Sequence, residues 1–151
     1  MKKGDTMSTA DTAAICFDEG FNCSQAVFSA FAPQLGLDRV AALKVAGPFG
    51  GGMGRMGETC GAVTGALMVI GLKYGQTTGE DKAAKEKSYE LVRQFAERFK
   101  ARNQGCLTCR ELLGADISTP EGMQKIREKQ AFTTMCPKFV RDAAEIVEEL
   151  L

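Results

Sequence analysis

The chain has no histidine. That absence removes histidine-ligated haem, zinc sites that need an imidazole, Ser–His and Cys–His nucleophile pairs, and the acid–base group that titrates nearest neutral pH. Charge of one sign is lacking too. Lys plus Arg and Asp plus Glu number 19 each, so no global basic field draws in nucleic acid or anionic lipid, and nucleic acid is not an expected partner. No uncharged apolar run reaches the ~20 residues of a membrane-spanning helix. The longest, Thr59 to Leu72, reads as a buried core helix, so no membrane insertion is expected. The start, Met1-Lys2-Lys3-Gly4-Asp5-Thr6, has no apolar segment behind it and no twin arginine, which predicts a cytoplasmic protein. Period-two alternation and Asn-Gly or Asp-Gly hairpin turns are absent as well. Any chemistry must run on sulfur, carboxylate, amine or a bound cofactor.

What remains is helix-forming sequence. A length of 151 residues, 44% hydrophobic and 25% charged, suits one domain over 1–151 with its own core, its residues 1–8 a frayed terminus. The expected fold class is all-α, a single-domain bundle of about six to seven helices around the central apolar helix Cys60–Leu72. Helix signals run from Thr9 to about Glu19, where Gly20 stops the helix; from the cap Asn22, with Gln25 three residues on, to before Pro33; and from the cap Asp38 to Ala46. Thr59 is placed as the cap of the central helix. Asp81 to Arg102 is charge-dense with an apolar stripe at Ala84, Val92, Phe95 and Phe99. Thr108 and Glu111 form a capping box for a short helix that Gly114 ends, Thr119-Pro120-Glu121 opens another, and Pro137 opens the last, with Phe139, Ala143, Ile146 and Leu150 facing inward.

Six cysteines lie on this map: Cys16, Cys23, Cys60, Cys106, Cys109 and Cys136. Four fall at helix starts. Cys23 follows Asn22, Cys60 follows Thr59, Cys109 follows Thr108, and Cys136 takes the cap position before Pro137. Free N–H groups and a partial positive charge at a helix start favour thiolate over thiol, so lowered pKa values are expected at all four, and four such ends pointing inward make a site for a sulfur-ligated cation. Cys16, inside an Ala-rich helix, reads as packing. Cys106 can pair with Cys109 as Cys-x-x-Cys, with no histidine after it for covalent haem.

Between the third and central helices runs Gly47-Pro48-Phe49-Gly50-Gly51-Gly52-Met53-Gly54-Arg55-Met56-Gly57. No strand precedes it and no Gly-Lys-Ser/Thr ends it, so close backbone approach to a neighbouring helix or cluster is favoured over a phosphate cradle. Gly57, Gly61 and Gly65 recur every fourth residue and leave a smooth helix face. Met53 and Met56 are either soft ligands or gap-fillers; Arg55 and Glu58 either tune a thiolate site or stand in solvent.

These residues resemble a known family, the bacterial and archaeal C_GCAxxG_C_C redox-active proteins. The resemblance covers nearly the whole chain. It rests on Gly20-Phe21-Asn22-Cys23-Ser24-Gln25-Ala26-Val27, Phe49-Gly50-Gly51-Gly52-Met53-Gly54, Cys60-Gly61-Ala62-Val63-Thr64-Gly65, Cys109 with Leu112-Leu113-Gly114, and Cys136. It implies four characteristic cysteines, Cys23, Cys60, Cys109 and Cys136, and a redox or iron–sulfur role. Cys16 and Cys106 fall outside the pattern.

Three readings follow. In the first, the four cysteines are cofactor-binding metal ligands of an iron–sulfur cluster used in electron transfer or sensing. In the second, a metal-free thiol–disulfide oxidoreductase or sensor uses Cys60 as the catalytic, attacking thiolate. The third is a structural four-cysteine zinc site, against which the scattered spacing of the ligands weighs. The redox partner or partner oxidoreductase is not specified by the sequence.

Overall fold

The computed structural model describes residues 7–151. Expectations for residues 1–6, including most of the frayed terminus, lie outside the described residues. At Ser8 the chain is not frayed: its hydroxyl accepts from the Asp11 N–H at 3.0 Å and the Asp11 carboxylate accepts from the Ser8 N–H at 3.1 Å, a closed capping box.

The described residues are all-α, with no strand. Seven helices have eight residues or more: α1 (Thr9–Asp18), α2 (Cys23–Phe31), α3 (Arg39–Ala46), α5 (Gly61–Tyr74), α6 (Lys82–Arg102), α8 (Pro120–Glu128) and α10 (Cys136–Leu150). Short turns α4 (Gly50–Met53), α7 (Cys109–Leu113) and α9 (Ala131–Thr134) join them. No described helix is long and apolar enough to cross a membrane.

The centre of the bundle is α2, α5 and α10, each in contact with the other two, with α1, α3 and α6 packed outside them. The α5 helix is apolar on most sides and buries Ala62, Val63, Ala66, Val69 and Ile70. It approaches α2 closely because two glycines face it. A Cβ on Gly65 would stand 2.7 Å from the Ser24 carbonyl oxygen, and one on Gly61 would stand 3.1 Å from the Ser24 nitrogen. Gly57 does not share that face, because it lies in the preceding loop with φ of +73°. Along α6, Phe95 and Phe99 stack at 5.9 Å between centroids and bury fully against α10, whose Phe139 lies 6.5 Å from Phe99. Asp142, buried on α10, takes hydrogen bonds from Arg102, Asn103 and Lys138 and pins the end of α6.

Two boundaries differ from expectation. Cys60, not Thr59, is the cap residue of α5, and Cys136 is the first residue of α10, after Met135. At Thr108 the box is half formed: its hydroxyl accepts from the Glu111 N–H at 3.3 Å, but the Glu111 carboxylate turns to the same hydroxyl at 2.8 Å.

Candidate functional site

Four local structures bring four cysteines to one place. Cys23 opens α2 behind a closed capping box, Asn22 accepting from the Gln25 N–H at 2.9 Å and Gln25 accepting from the Asn22 N–H at 3.0 Å. The Asn22 amide also donates to the Gly47 carbonyl at 2.9 Å, which ties this helix start to the glycine-rich segment. Cys60 and Cys109 are set side by side by a short antiparallel pairing. The Cys60 N–H donates to Leu107 O at 2.9 Å, the Cys109 N–H to Glu58 O at 2.6 Å, and Thr59 bridges Thr108. Arg110 clamps the same junction, its Nε donating to Gly57 O at 2.9 Å while its guanidinium pairs with Glu58. Glu58 therefore belongs to this clamp and not to the thiol site. Cys136 arrives from the other end of the chain at the start of α10.

The glycine segment folds as a left-handed turn. Gly51, Gly52, Met53, Gly54 and Arg55 all have φ between 60° and 69°. L-residues avoid this region, so a run of it is affordable only where glycine dominates. The turn also lets the backbone approach closely: a Cβ on Gly52 would meet Glu58 N at 2.5 Å and the Cys109 Cβ at 2.8 Å, and one on Gly50 would meet the Asn22 side chain.

Cys23, Cys60, Cys109 and Cys136 line one cavity of about 490 Å³, with Gly50, Gly51, Gly52 and Gly61 as its backbone wall and Leu112, Leu113 and Phe139 among its apolar wall. Cys16 and Cys106 do not line it. Cys16 is buried with its sulfur 3.6 Å from the Ser29 hydroxyl, and the Cys106 sulfur faces Gln104 O at 3.7 Å. Neither Met53 nor Met56 lines the cavity either. Among the described residues no three Cys, Asp or Glu side chains are grouped tightly enough to hold a single metal ion. Ile117, Met123, Arg127 and Phe132 also line the cavity, and no motif in the sequence singled them out, since only the fold carries α8 and α9 to its mouth.

The electrostatics correct one expectation. Helix starts were to lower all four thiol pKa values, yet burial pushes Cys60 up to about 11 and Cys109 up to about 12. The helix-start effect is real at Cys60, where the N–H groups of Ala62 and Val63 pull its pKa down, but desolvation of a thiolate outweighs it. Cys23 is raised because it holds the proton it shares with Cys136, and Cys136 is lowered by accepting from Cys23. Of the four thiols, Cys136 is the one shifted toward thiolate, while burial holds Cys60 protonated. Metal-free protein in a Cys106→Ser background is expected to be alkylated by iodoacetamide at Cys136 well ahead of Cys60 at pH 8, by peptide mass mapping, with Cys60 labelling accelerating up to about pH 11. Faster labelling of Cys60 at pH 8 contradicts this. Because the neutral Cys60 thiol is the form the fold favours, its contribution is intact at low pH. About 3 kcal/mol of it is lost as pH rises from 9.0 through about 11.

The model of the family described as "Putative redox-active protein (C_GCAxxG_C_C)" matches residues 21–150. The chain belongs to this family. The matched span contains Cys23, Cys60, Cys106, Cys109 and Cys136 and leaves Cys16 outside. Nothing among curated proteins and nothing among solved structures matches the chain.

Proposed function

We propose that Cys23, Cys60, Cys109 and Cys136 together hold an iron–sulfur cluster, and that the protein transfers electrons or senses redox state through it. The observation that carries this reading is the convergence of four cysteines, from four separate helix starts, on one cavity. The donor chemistry fits: soft thiols are the only strong ligands on the wall, with no carboxylate or imidazole among the lining residues. Four sulfurs on one zinc ion must lie roughly 4 Å apart. The absence of a tight three-ligand group among the described residues weighs against that site, whereas a cluster takes its ligands from a wider cage. When bound, the cluster supplies reversible one-electron storage.

The chain's own residues do the rest. Burial of three of the sulfurs excludes water, and the Ala62 and Val63 N–H groups stabilise negative charge on Cys60. Ligation requires thiolates, so Cys23, Cys60 and Cys109, all held protonated, each release a proton on binding at neutral pH.

One observation favours a second reading. The opposite pKa shifts of Cys23, raised, and Cys136, lowered, suit thiol–disulfide exchange in which Cys136 attacks a disulfide of a partner oxidoreductase and Cys23 then resolves the mixed disulfide, leaving the partner reduced. Anaerobic purification with iron, sulfide and zinc analysis and a visible spectrum separates the readings. Iron and acid-labile sulfide in comparable amounts, in a brown protein, is the expected result. Colourless protein with titratable dithiols, or stoichiometric zinc, overturns it.

A further inference from the structure

We propose that the outer part of the cysteine cavity binds a small organic oxyanion, a carboxylate or phosphate group on an apolar body, with its charge held by Arg55 and Arg127. Both arginines line the cavity, and no carboxylate does. Arg39, Arg98, Arg102, Arg110 and Arg141 all pair with a carboxylate; Arg55, Arg93 and Arg127 have no ion-pair partner among the described residues, and of these three only Arg55 and Arg127 line the cavity. Both guanidiniums are exposed and unpaired at this cavity, and an oxyanion that accepts from them gains charge-assisted hydrogen bonds.

The backbone supports the assignment. Arg55 is held at φ of +66°, where a long side chain is disfavoured, at the end of the left-handed glycine turn. Strain of this kind persists where the surrounding structure enforces it, and here it places Arg55, itself solvent-exposed, at the edge of the cavity. Arg127 comes from the last turn of α8, far away in sequence. The same cavity is lined by Ile117, Met123 and Phe132, which suits an apolar body, and its whole volume of about 490 Å³, the cysteine part included, lies in the range of small-molecule sites. The ligand's apolar part would then lie toward the cysteines, in the place of a substrate or effector of the redox centre. The inference rests on the arginines and the cavity wall and does not require the cluster.

The test is calorimetric titration of the purified protein, both as isolated anaerobically and after metal removal, with benzoate, hexanoate and phenyl phosphate, and with benzamide as the neutral probe. Saturable binding of at least one anion with none of benzamide is expected, and Arg55→Gln and Arg127→Gln should each weaken it by at least about tenfold, while Arg93→Gln leaves it unchanged. Preference for benzoate and hexanoate assigns a carboxylate, and preference for phenyl phosphate assigns a phosphate. No binding of any anion in either form, equal binding of benzamide, or arginine variants that alter iron content without altering anion affinity overturns the proposal. Anion binding to metal-free protein that never takes up iron would uphold this site while refuting the cluster.

Discussion

Serine at any one of Cys23, Cys60, Cys109 or Cys136 is expected to abolish cluster binding, while serine at Cys16 or Cys106 leaves it intact. The four residues enter from different elements, so none can stand in for another: Cys23 is fixed by the Asn22 box, Cys60 and Cys109 by the pairing of Glu58 and Leu107, and Cys136 by α10. No other thiol lines the cavity and the chain has no imidazole. Loss of one thiolate therefore leaves a metal corner open in a mostly apolar wall. The controls remove sulfurs of the same chemistry that face elsewhere, Cys16 toward Ser29 and Cys106 toward Gln104 O. Iron content per chain after anaerobic reconstitution is the readout. Retention of iron by two or more of the four variants would show that the cysteines do not act as a set.

Alanine at Gly52 is expected to cost about 2–5 kcal/mol, from roughly 1–2 kcal/mol for an L-residue in the left-handed region and ~1–3 kcal/mol for overpacking. The added Cβ would meet Glu58 N at 2.5 Å, Glu58 O at 2.7 Å and the Cys109 Cβ at 2.8 Å, and two of these three contacts are rigid backbone. Glu58 must then move. Glu58 N–H donates to Gly52 O at 2.9 Å and Glu58 O accepts from the Cys109 N–H, so the displacement passes directly to a proposed ligand. Gly36→Ala separates strain from crowding, because Gly36 has φ of +94° but open space where its Cβ would go. Urea unfolding of metal-free protein should give a shift near 1–2 kcal/mol for Gly36→Ala and clearly more for Gly52→Ala. Equal shifts would mean that the glycine turn does not press on the cysteine junction.

The helices were readable from sequence because their signals are local. Asn22, Asp38 and Thr119 cap where a short polar side chain precedes a periodic apolar run, and Gly20 and Gly114 take positive φ next to helix ends, whereas the Ser8 cap was missed. A smooth face at Gly61 and Gly65 was readable for the same reason, since spacing alone puts both on one side of the helix, but that α2 is the helix packed on it was not. What was not readable depends on contacts distant in the chain. The pairing of 57–60 with 107–110 is too short to leave an alternating pattern, yet it is what places Cys60 beside Cys109. The direction of the pKa shift was misjudged at Cys23, Cys60 and Cys109, because a helix start is visible in sequence and the depth of burial is not; Cys136 is lowered as expected, through its hydrogen bond with Cys23. Arg127 at the cavity mouth carried no sequence signal at all.

Iron K-edge X-ray absorption on the anaerobically prepared protein tests the central claim most directly, because it reads both the atoms bound to iron and the presence of a second iron nearby. A shared four-cysteine cluster predicts an all-sulfur first shell together with iron–iron backscattering, both lost in Cys60→Ser. An isolated metal without a metal neighbour, a shell containing oxygen or nitrogen, or protein that takes up no iron while Cys23 and Cys136 form a disulfide would contradict it.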